Sequence, residues 1–478
     1  MNLSQKLLKN KALLAIISAL LCIIIGVLVG YIVLVLIDAK GANEAITGVM
    51  RNFATRSKNN LRIKEFGNTL IKTVPLILCS LSVLFAYKVG LFNIGVAGQY
   101  VIGAGACLYL ALGLQLPWYV CLIAAVVAGA LLASISGVLK AFLNVNEVIS
   151  CIMLNWVSLY IVNWIMTPFA PIGKKDTYEL VMRSKQSILP SLSADIFKQQ
   201  QDTLFNGAKV TIALPIAIII AILIWILLEK TKFGFELRAT GLNKNAAKYC
   251  GMREKSNIIV TMAIAGALGG AAAGLYFLSD FKQWNINEPA VPGMGFNGIA
   301  GAFLGGLNPI GSIFSSYFIQ HITDGGTTLN TQSYPPQIAD LISAIIIYLC
   351  SFVLFFKTIF MKLLNKINKL AAMIVLFVAG GLFTWAGVTA TAGLVKYYAD
   401  AGFKFTPAEI ANAGHLAWTD KKFVAKYQFT TAGSVGRWIL MIVLFAIAVG
   451  LLTVAIIDLV RFIKERKVPA EAKGGAEQ

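Results

Sequence analysis

Long stretches without a charged residue are the feature that most limits how this chain can fold. No Asp, Glu, Lys or Arg occurs from Val89 to Leu139, and further uncharged runs cover Ala12–Ile37, Val148–Gly173, Val210–Leu228, Asn257–Ser279, Ala290–Gln320, Leu370–Val395 and Trp438–Ile457. A helix needs about 20 apolar residues to cross the hydrocarbon core, and most of these runs reach or approach that length. Membrane β-barrels show short alternating segments instead. The pattern therefore predicts an all-α, polytopic membrane protein.

Composition agrees with this interpretation. Hydrophobic residues make up 58% of the chain and charged residues 13%, about half the charged share of a soluble domain. The net charge of +19 could indicate nucleic-acid binding in a soluble protein. Here we attribute it to cytoplasmic loops, which are enriched in Lys and Arg in membrane proteins. We therefore expect contact with membrane lipid and no nucleic-acid partner.

The charges between the apolar runs predict the topology. Lysines before residue 12 and the basic tail 461–467 place both termini in the cytoplasm, for a multi-pass protein of the plasma membrane. Helices are predicted at 12–37, 69–87, 91–112, 117–140, 147–169, 209–229, 257–279, 338–357, 371–397 and 435–460, with two short or broken helices in 290–320 that return to the outside. Segments 170–208 and 398–434 are predicted outside, and 229–255 inside. The basic segment 51–72 does not fit this scheme.

The positions of the predicted helices divide the chain into three regions. Residues 1–68 hold an N-terminal helix and a polar loop, and residues 69–360 form the core with a cytoplasmic loop at 229–256. Residues 361–478 form a C-terminal extension with two predicted transmembrane helices.

Chemistry-bearing motifs are missing from the sequence. The seven cysteines form no CxxC pair or Cys/His cluster, and His321 and His415 are isolated and predicted in loops. No GxxxxGK[ST] phosphate-binding loop occurs, and the glycine-rich stretch Ala265–Gly274 lacks the lysine of that motif and is interpreted as helix packing. We therefore predict no catalytic residue, no metal site and no cofactor.

Uncharged polar residues are the candidates for function. They occur within the apolar runs as three groups: Asn93 with Gln99, Asn146 with Asn155 (and Asn144), and Asn297 with Asn308. Such amides can join helices by hydrogen bonds, or they can line a pathway for a neutral polar solute. Charged residues in the apolar regions are confined to helix ends, at Lys88 and Glu147, and Lys88 is expected to extend towards the interface.

The segment Thr231–Met252 is the most distinctive part of the chain. Its sequence predicts an amphipathic cytoplasmic helix with a face of small residues, interrupted at Gly241 and ended at Gly251. It could lie on the lipid headgroups or dock a partner protein.

Four motifs together resemble the permease family of ATP-binding-cassette (ABC) importers for branched-chain amino acids, simple sugars and nucleosides, most closely the nucleoside and simple-sugar branch. They are Gly90–Gln99, Val145–Ser150 with Met153–Asn155, Thr231–Met252, and Gly295–Gly305 with Asn308–Gly311. The resemblance implies about ten core membrane segments, to which this chain adds two C-terminal helices.

The resemblance also implies function and partners. The segment Thr231–Met252 would be the coupling helix that contacts a cytoplasmic ATPase, through Glu236, Arg238, Ala239, Gly241, Ala246, Ala247 and Gly251. The chain would then be a non-enzymatic transport subunit that moves a nucleoside or simple sugar by alternating access. Its partners would be ABC ATPase subunits that bind ATP, a second permease subunit and an extracellular solute-binding protein.

Other classes of membrane protein remain open at this point. A secondary transporter or channel without an ATPase would explain the helices, but it would favour membrane-buried ionisable groups and leaves the 231–252 segment unexplained. A membrane-embedded enzyme has no supporting motif. A structural scaffold gives no reason for amides within the helices.

Overall fold

The structure is a computed structural model, and it describes residues 11–39, 41–55, 59–192, 205, 207–326, 369–400 and 441–461, with single positions between 344 and 362. Two compact units divide the chain: residues Ala15–Lys357, and Thr358–Gln478 with Met1–Leu14. The predicted helix 338–357 falls largely outside the described residues. The loop 398–434 and His415 do so as well, apart from the first residues of that loop, which extend a helix.

Helices make up almost all of the regular structure in the described residues. In chain order they are α1 (Lys11–Ile37), α2 (Ala42–Arg51), α3 (Asn59–Lys88), α4 (Val96–Leu112), α5 (Trp118–Leu143), α6 (Glu147–Met166), α7 (Leu180–Arg183), α8 (Ala213–Lys230), α9 (Lys232–Leu242), α10 (Lys244–Tyr249), α11 (Glu254–Phe277), α12 (Met294–Leu304), α13 (Pro309–Gly326), α14 (Lys369–Asp400) and α15 (Met441–Arg461). Short 3-10 turns cover Asn52–Thr55, Thr167–Phe169 and Lys185–Ser187. The prediction of an all-α membrane protein is confirmed.

Six of the described helices are long and apolar enough to cross a bilayer: the Leu61–Lys88 part of α3, α5, α6 with its 3-10 extension, α8, α11 and α15. Shorter apolar helices lie at Cys22–Ile37, Val96–Leu112, Met294–Leu304 and Leu376–Thr391. In α3 and α11 most of the apolar window is buried in the protein, 89% and 72%, against about a third or less in the other four. Helices α3 and α11 therefore form the centre of the first unit, and α5, α6 and α8 expose apolar faces that suit lipid.

Two helix boundaries differ from the sequence prediction. Helix α3 begins at Asn59, ten residues before the predicted start, so most of the basic segment 51–72 is helical. Helix α4 begins at Val96 because residues 91–95 run as an irregular link. Hydropathy marks the part of a helix that is buried, and polar turns can extend a helix beyond that part.

Small residues let α5 and α11 cross closely. A Cβ atom added to Gly129 would lie 2.8 Å from the backbone N of Gly270, and a Cβ on Gly270 would lie 2.9 Å from the carbonyl carbon of Ala125. Close approach of backbones through Gly and Ala is the usual way in which membrane helices pack. The glycine-rich stretch 265–274 is thus a packing surface, as predicted.

Helices α12 and α13 form a tight hairpin. The hydroxyl of Ser315 donates to the carbonyl of Gly301 at 2.6 Å, and Gly305 lies against Gly311 and Ser312. The run 290–320 therefore contains two short helices that double back, as predicted. His321 lies within α13, so its predicted placement in a loop is wrong.

The first unit has two distinct ends. At one end, Lys88, Glu229 and Asn308 line a common cavity, and Gly90 contacts Gly241. We call this the coupling end. At the other, Thr177 N donates to Trp284 O at 2.9 Å, and Leu189 N donates to Leu278 O at 2.9 Å. Helix α11 runs from one end to the other, a length of about 36 Å for its 24 residues.

In the second unit, α14 and α15 pack against each other. Leu376 and Ala455 are buried between them, and Gly380 lies against Leu452. Helix α14 confirms the predicted helix 371–397.

Candidate functional site

Two of the predicted amides pair with each other in the centre of the first unit. Asn93 is 0% exposed and Gln99 1%. Asn93 Nδ2 donates to Gln99 Oε1, and Gln99 Nε2 donates back to Asn93 Oδ1, both at 2.9 Å. Asn93 Nδ2 also donates to Ser82 Oγ at 2.9 Å, and Ser82 Oγ donates to the carbonyl of Ala265 at 2.6 Å. The pair therefore ties the 91–95 link to α3, α4 and α11.

Asn155 joins α6 to the same link. The backbone N of Gly98 donates to Asn155 Oδ1 at 2.8 Å, and Asn155 Nδ2 donates to the carbonyl of Ile94 at 3.2 Å. A Cβ on Gly98 would lie 2.6 Å from Asn155 Oδ1, so only glycine leaves room for this contact. Asn93, Gln99 and Asn155, which we call the amide network, are thus brought together by the fold.

The other three predicted pathway residues lie elsewhere. Asn146 caps α6 by accepting from Val148 N at 2.9 Å, and Asn308 caps α13 by accepting from Ile310 N at 2.9 Å. Both contacts are ordinary N-terminal caps of helices. Asn297 is half-buried in the first turn of α12, and its side chain has no hydrogen-bond partner among the described residues.

In this conformation the amide network joins helices. Its donors and acceptors are satisfied inside the protein, as buried polar groups usually are. A role of these amides in contacting solute stays a prediction, because a solute could reach them only after the surrounding helices separate.

The predicted coupling helix is two short helices. Thr231 caps α9 by accepting from Gly234 N at 3.0 Å, and Asn243 caps α10 by accepting from Ala246 N at 3.1 Å. The break therefore lies at Asn243, and the predicted interruption at Gly241 is wrong by two residues. Gly251, with a φ of +80°, follows the end of α10 as expected.

Gly241 places this segment directly against the link to the amide network. A Cβ on Gly241 would lie 2.5 Å from the carbonyl oxygen of Val89 and 2.8 Å from the backbone N of Gly90. Gly90 itself has a φ of +77°, which favours glycine. Only Leu91 and Phe92 lie between Gly90 and Asn93, so a displacement of α9 would reach the amide network through a short stretch of backbone.

Glu229 forms a second connection at the same end. Its Oε2 accepts from Arg238 Nη1 at 3.0 Å, and its Oε1 lies 3.9 Å from Lys88 Nζ. Lys88 therefore faces a carboxylate, whereas the sequence predicted only that it extends towards the interface. Glu229 bridges the end of α3 to α9 and was not among the residues singled out from the sequence.

We expect Glu229→Gln to slow transport, the function that the resemblance implies, without unfolding the protein. The change removes the charge shared by Lys88 and Arg238, and partly exposed ion pairs contribute about 0.2–1 kcal/mol each. A decrease of roughly two- to tenfold in uptake is expected. Glu254→Gln is the control, since Glu254 lies at the same end and has no ion-pair partner among the described residues. Equal uptake by both variants, measured in membrane vesicles, would show that the bridge transmits nothing.

Large apolar side chains project from the segment Thr231–Met252, which we call the coupling segment. Leu242 is 89% exposed, Tyr249 93% and Phe235 59%, and we call these three residues the apolar patch. Of the predicted small-residue face, Ala247 is buried, Ala246 is exposed and Ala239 is half-buried. The predicted coupling residue Glu236 is also half-buried. The apolar patch was not predicted from the sequence, although apolar residues among lysines were its visible signal.

Ion pairs near the other end of the bundle were also missed. Lys72 Nζ lies 2.8 Å from Asp324 Oδ1, and Gln320 Nε2 donates to the same oxygen at 3.1 Å. At the coupling end Glu147, which was singled out, pairs with Lys140 at 2.8 Å. These contacts join helices that are distant in sequence, so spacing alone could not indicate them. Among the described residues, no group of three or more His, Cys, Asp and Glu could hold a metal ion.

The fold and the site together define a polytopic helical membrane protein whose centre is connected to an exposed segment that bears large apolar side chains. The chain belongs to the family described as branched-chain amino acid transport system / permease component, whose model matches residues 66–351. It is thus the permease subunit of an ABC importer and not itself an enzyme.

Curated relatives agree with this assignment. The guanosine ABC transporter permease protein NupP of Bacillus subtilis is 33% identical over 59% of this chain and 79% of its own length. The nucleoside ABC transporter permease protein NupB of Lactococcus lactis is 34% identical over 60% and 78% of the two chains. The glucose ABC transporter permease protein TsgB13 of Haloferax volcanii is 29% identical over 61% and 78%. No solved structure matches this chain.

Proposed function

We propose that this permease imports a nucleoside or simple sugar, driven by an ATPase that docks on α9 and α10. The observation that carries the docking role is the apolar patch. Leu242 and Tyr249 are almost fully exposed on a segment that contacts the link to the amide network through Gly241. Large exposed apolar side chains surrounded by charge are typical of protein interfaces.

The mechanism follows from the two connections at the coupling end. Closure of the ATPase dimer on ATP would move α9 and α10. The Gly241–Gly90 backbone contact and the Glu229 bridge would pass this movement to α3 and to the 91–95 link. Separation of the helices joined by the amide network would then open the pathway from one side to the other, which is alternating access.

The proposed class of solute rests on two arguments. The names of two relatives refer to guanosine and to nucleosides, and the name of a third refers to glucose. In addition, the polar groups in the centre of the bundle are neutral amides and hydroxyls, which suit a solute that forms hydrogen bonds and carries no charge.

The proposal also includes the orientation of the chain in the membrane and its partners. The apolar patch would face the cytoplasm, so both termini would be cytoplasmic and the opposite end of the bundle extracellular. There a solute-binding protein would deliver the solute. A second permease subunit would pack beside this one in the plasma membrane, and the exposed apolar faces of α5 and α6 would contact lipid or that subunit.

Leu242→Asp is expected to detach the ATPase. Burying a leucine contributes about 1.5–3 kcal/mol, so its replacement by a carboxylate should weaken the complex by at least tenfold. The measurement is affinity purification in mild detergent, with quantification of a co-purifying ATPase that carries a phosphate-binding loop. Leu114→Asp is the matched control, because Leu114 is 60% exposed outside the coupling segment.

Two outcomes would contradict the proposal. Stoichiometric ATPase retained by the Leu242→Asp variant would remove the docking role of the apolar patch. Solute uptake into liposomes by the purified chain, with neither ATPase nor ATP, would favour a secondary transporter, and the Lys72–Asp324 pair would then be the first ionisable group to test.

A further inference from the structure

A cavity of about 240 Å³ lies at the end of the bundle opposite to the coupling segment. It is enclosed by α4, the end of α11 and the loop that follows α11. The side chains that matter for its chemistry are Tyr100, Tyr276, Phe277, Gln283, Trp284 and Glu288. Its volume falls just below the range of about 300–1,000 Å³ typical of small-molecule sites, so it suits one small solute.

Aromatic rings form most of one side of this cavity. The ring centroid of Phe277 lies 6.0 Å from that of Tyr100, 5.5 Å from that of Tyr276 and 5.7 Å from that of Trp284. The Trp284 indole N–H donates to Asn163 Oδ1 at 3.0 Å, and Asn163 Nδ2 donates to the backbone carbonyl of Glu288 at 3.1 Å. Trp284 is therefore fixed in position by a hydrogen bond, and the other three rings are held by packing against one another.

Three polar groups that line the cavity have no partner among the residues that the structure describes. Tyr100 is 3% exposed and Tyr276 is 7% exposed, yet neither hydroxyl has a hydrogen-bond partner among the described residues. Buried tyrosine hydroxyls usually have one. The half-buried carboxylate of Glu288 likewise forms no ion pair within the described chain. These groups are available to a molecule that combines hydroxyls with a flat ring.

We propose that this cavity is an outer binding site that selects a nucleoside over a simple sugar. The inference rests on the proposed function and narrows its class of solute. The nucleobase would stack against the aromatic wall, which binds any base because every base has a π-face. The ribose hydroxyls would donate to the Glu288 carboxylate, and the two tyrosine hydroxyls would bond the polar edge of the base.

The position of the cavity fits a step that precedes translocation. Tyr100 follows Gln99 directly in α4, so the inner wall of the cavity is one residue from the amide network. Phe277 in the cavity wall and Glu254 beside the coupling segment lie at opposite ends of α11, which is about 36 Å long for its 24 residues. Opening of the amide network would then give a solute held in the cavity a path inward.

The experiment measures ATP-dependent uptake by membrane vesicles that contain the complete transporter, with radiolabelled guanosine as the probe. Competitors are unlabelled guanosine, its 2′,3′-dideoxy analogue and glucose. In the unmodified protein we expect guanosine to compete far better than glucose, and the dideoxy analogue to compete about tenfold worse than guanosine. Glu288→Gln should raise the KM for guanosine about tenfold and remove the preference over the dideoxy analogue, with little change in kcat.

Glu179→Gln is the matched control, since Glu179 is exposed on the loop beside α7 and does not line the cavity. Tyr276→Phe is a second variant that keeps the ring and removes the hydroxyl, and it should raise the KM severalfold. A Glu288→Gln variant that keeps the KM and the ribose preference of the control overturns the inference but leaves the importer intact. Competition by glucose as strong as that by guanosine also overturns the inference and leaves the importer intact. Absence of any ATP-dependent uptake overturns the proposed function as well.

Discussion

Replacing Gly241 by valine is expected to abolish transport while the helical bundle stays folded. A Cβ at this position would lie 2.5 Å from the carbonyl oxygen of Val89 and 2.8 Å from the backbone N of Gly90. Both are backbone atoms, so no side-chain rotation can relieve the overlap. Because α9 lies at the edge of the bundle, it can move away from α3 and leave the buried centre unchanged. Its movement would then no longer reach the 91–95 link.

We expect at least a hundredfold loss of ATP-driven uptake, since a misplacement of about 1 Å in a coupled site can cost that much. The measurement is uptake by membrane vesicles, combined with the thermal unfolding midpoint of the purified complex. Gly381→Val is the control, because Gly381 is also helical and has open space around its Cβ position. Uptake equal to that of the control would exclude this contact as a route of transmission. If the thermal unfolding midpoint of Gly241→Val also fell far below that of the control, Gly241 would be a structural residue instead.

The sequence predicts the bundle well because its dominant signal is the cost of placing charge in lipid. The charge-free runs locate α1, α5, α6, α8 and α11, and the Asn308–Pro309 break locates the turn between α12 and α13. Helix α3 begins earlier than predicted because its first turns are polar and the hydropathy signal stops before the helix does. The length of a helix and the part of it that lies in the membrane are separate properties, and hydropathy indicates only the part that lies in the membrane.

The candidate site is predictable only in part. Asn93 and Gln99 are close in sequence, so their shared location could be foreseen, and Asn155 was chosen for its amide alone. The outer cavity brings Tyr100 together with residues of the loop after α11, and no spacing rule connects positions so far apart in the chain. Asn146 and Asn308 cap helices, a role that the preference of asparagine for N-caps would have indicated.

Gly270→Leu is expected to prevent the core from assembling. Helix α11 crosses α5 at this residue, and an added Cβ would lie 2.9 Å from the carbonyl carbon of Ala125 and closer still to its oxygen. Overpacking in a well-packed interior typically costs about 1–3 kcal/mol, and here the obstacle is rigid backbone, so we expect a cost of about 3 kcal/mol or more. Gly103 of α4 meets the other side of Gly270, so α11 has no direction in which to shift.

The measurement is the yield of monodisperse protein in detergent and its thermal unfolding midpoint, with Gly450→Leu as the control. Gly450 lies in α15 with open space around its Cβ position, so the same change should be tolerated there. Gly270→Ala should fall between the two, because its single methyl group still meets the backbone of Ala125. If Gly270→Leu were as stable as the control, α5 and α11 could not approach as closely as the structure shows. If α11 moved away from α5, the amide network would lose its support, because Ala265 accepts a hydrogen bond from Ser82 and lies just over one helical turn from Gly270.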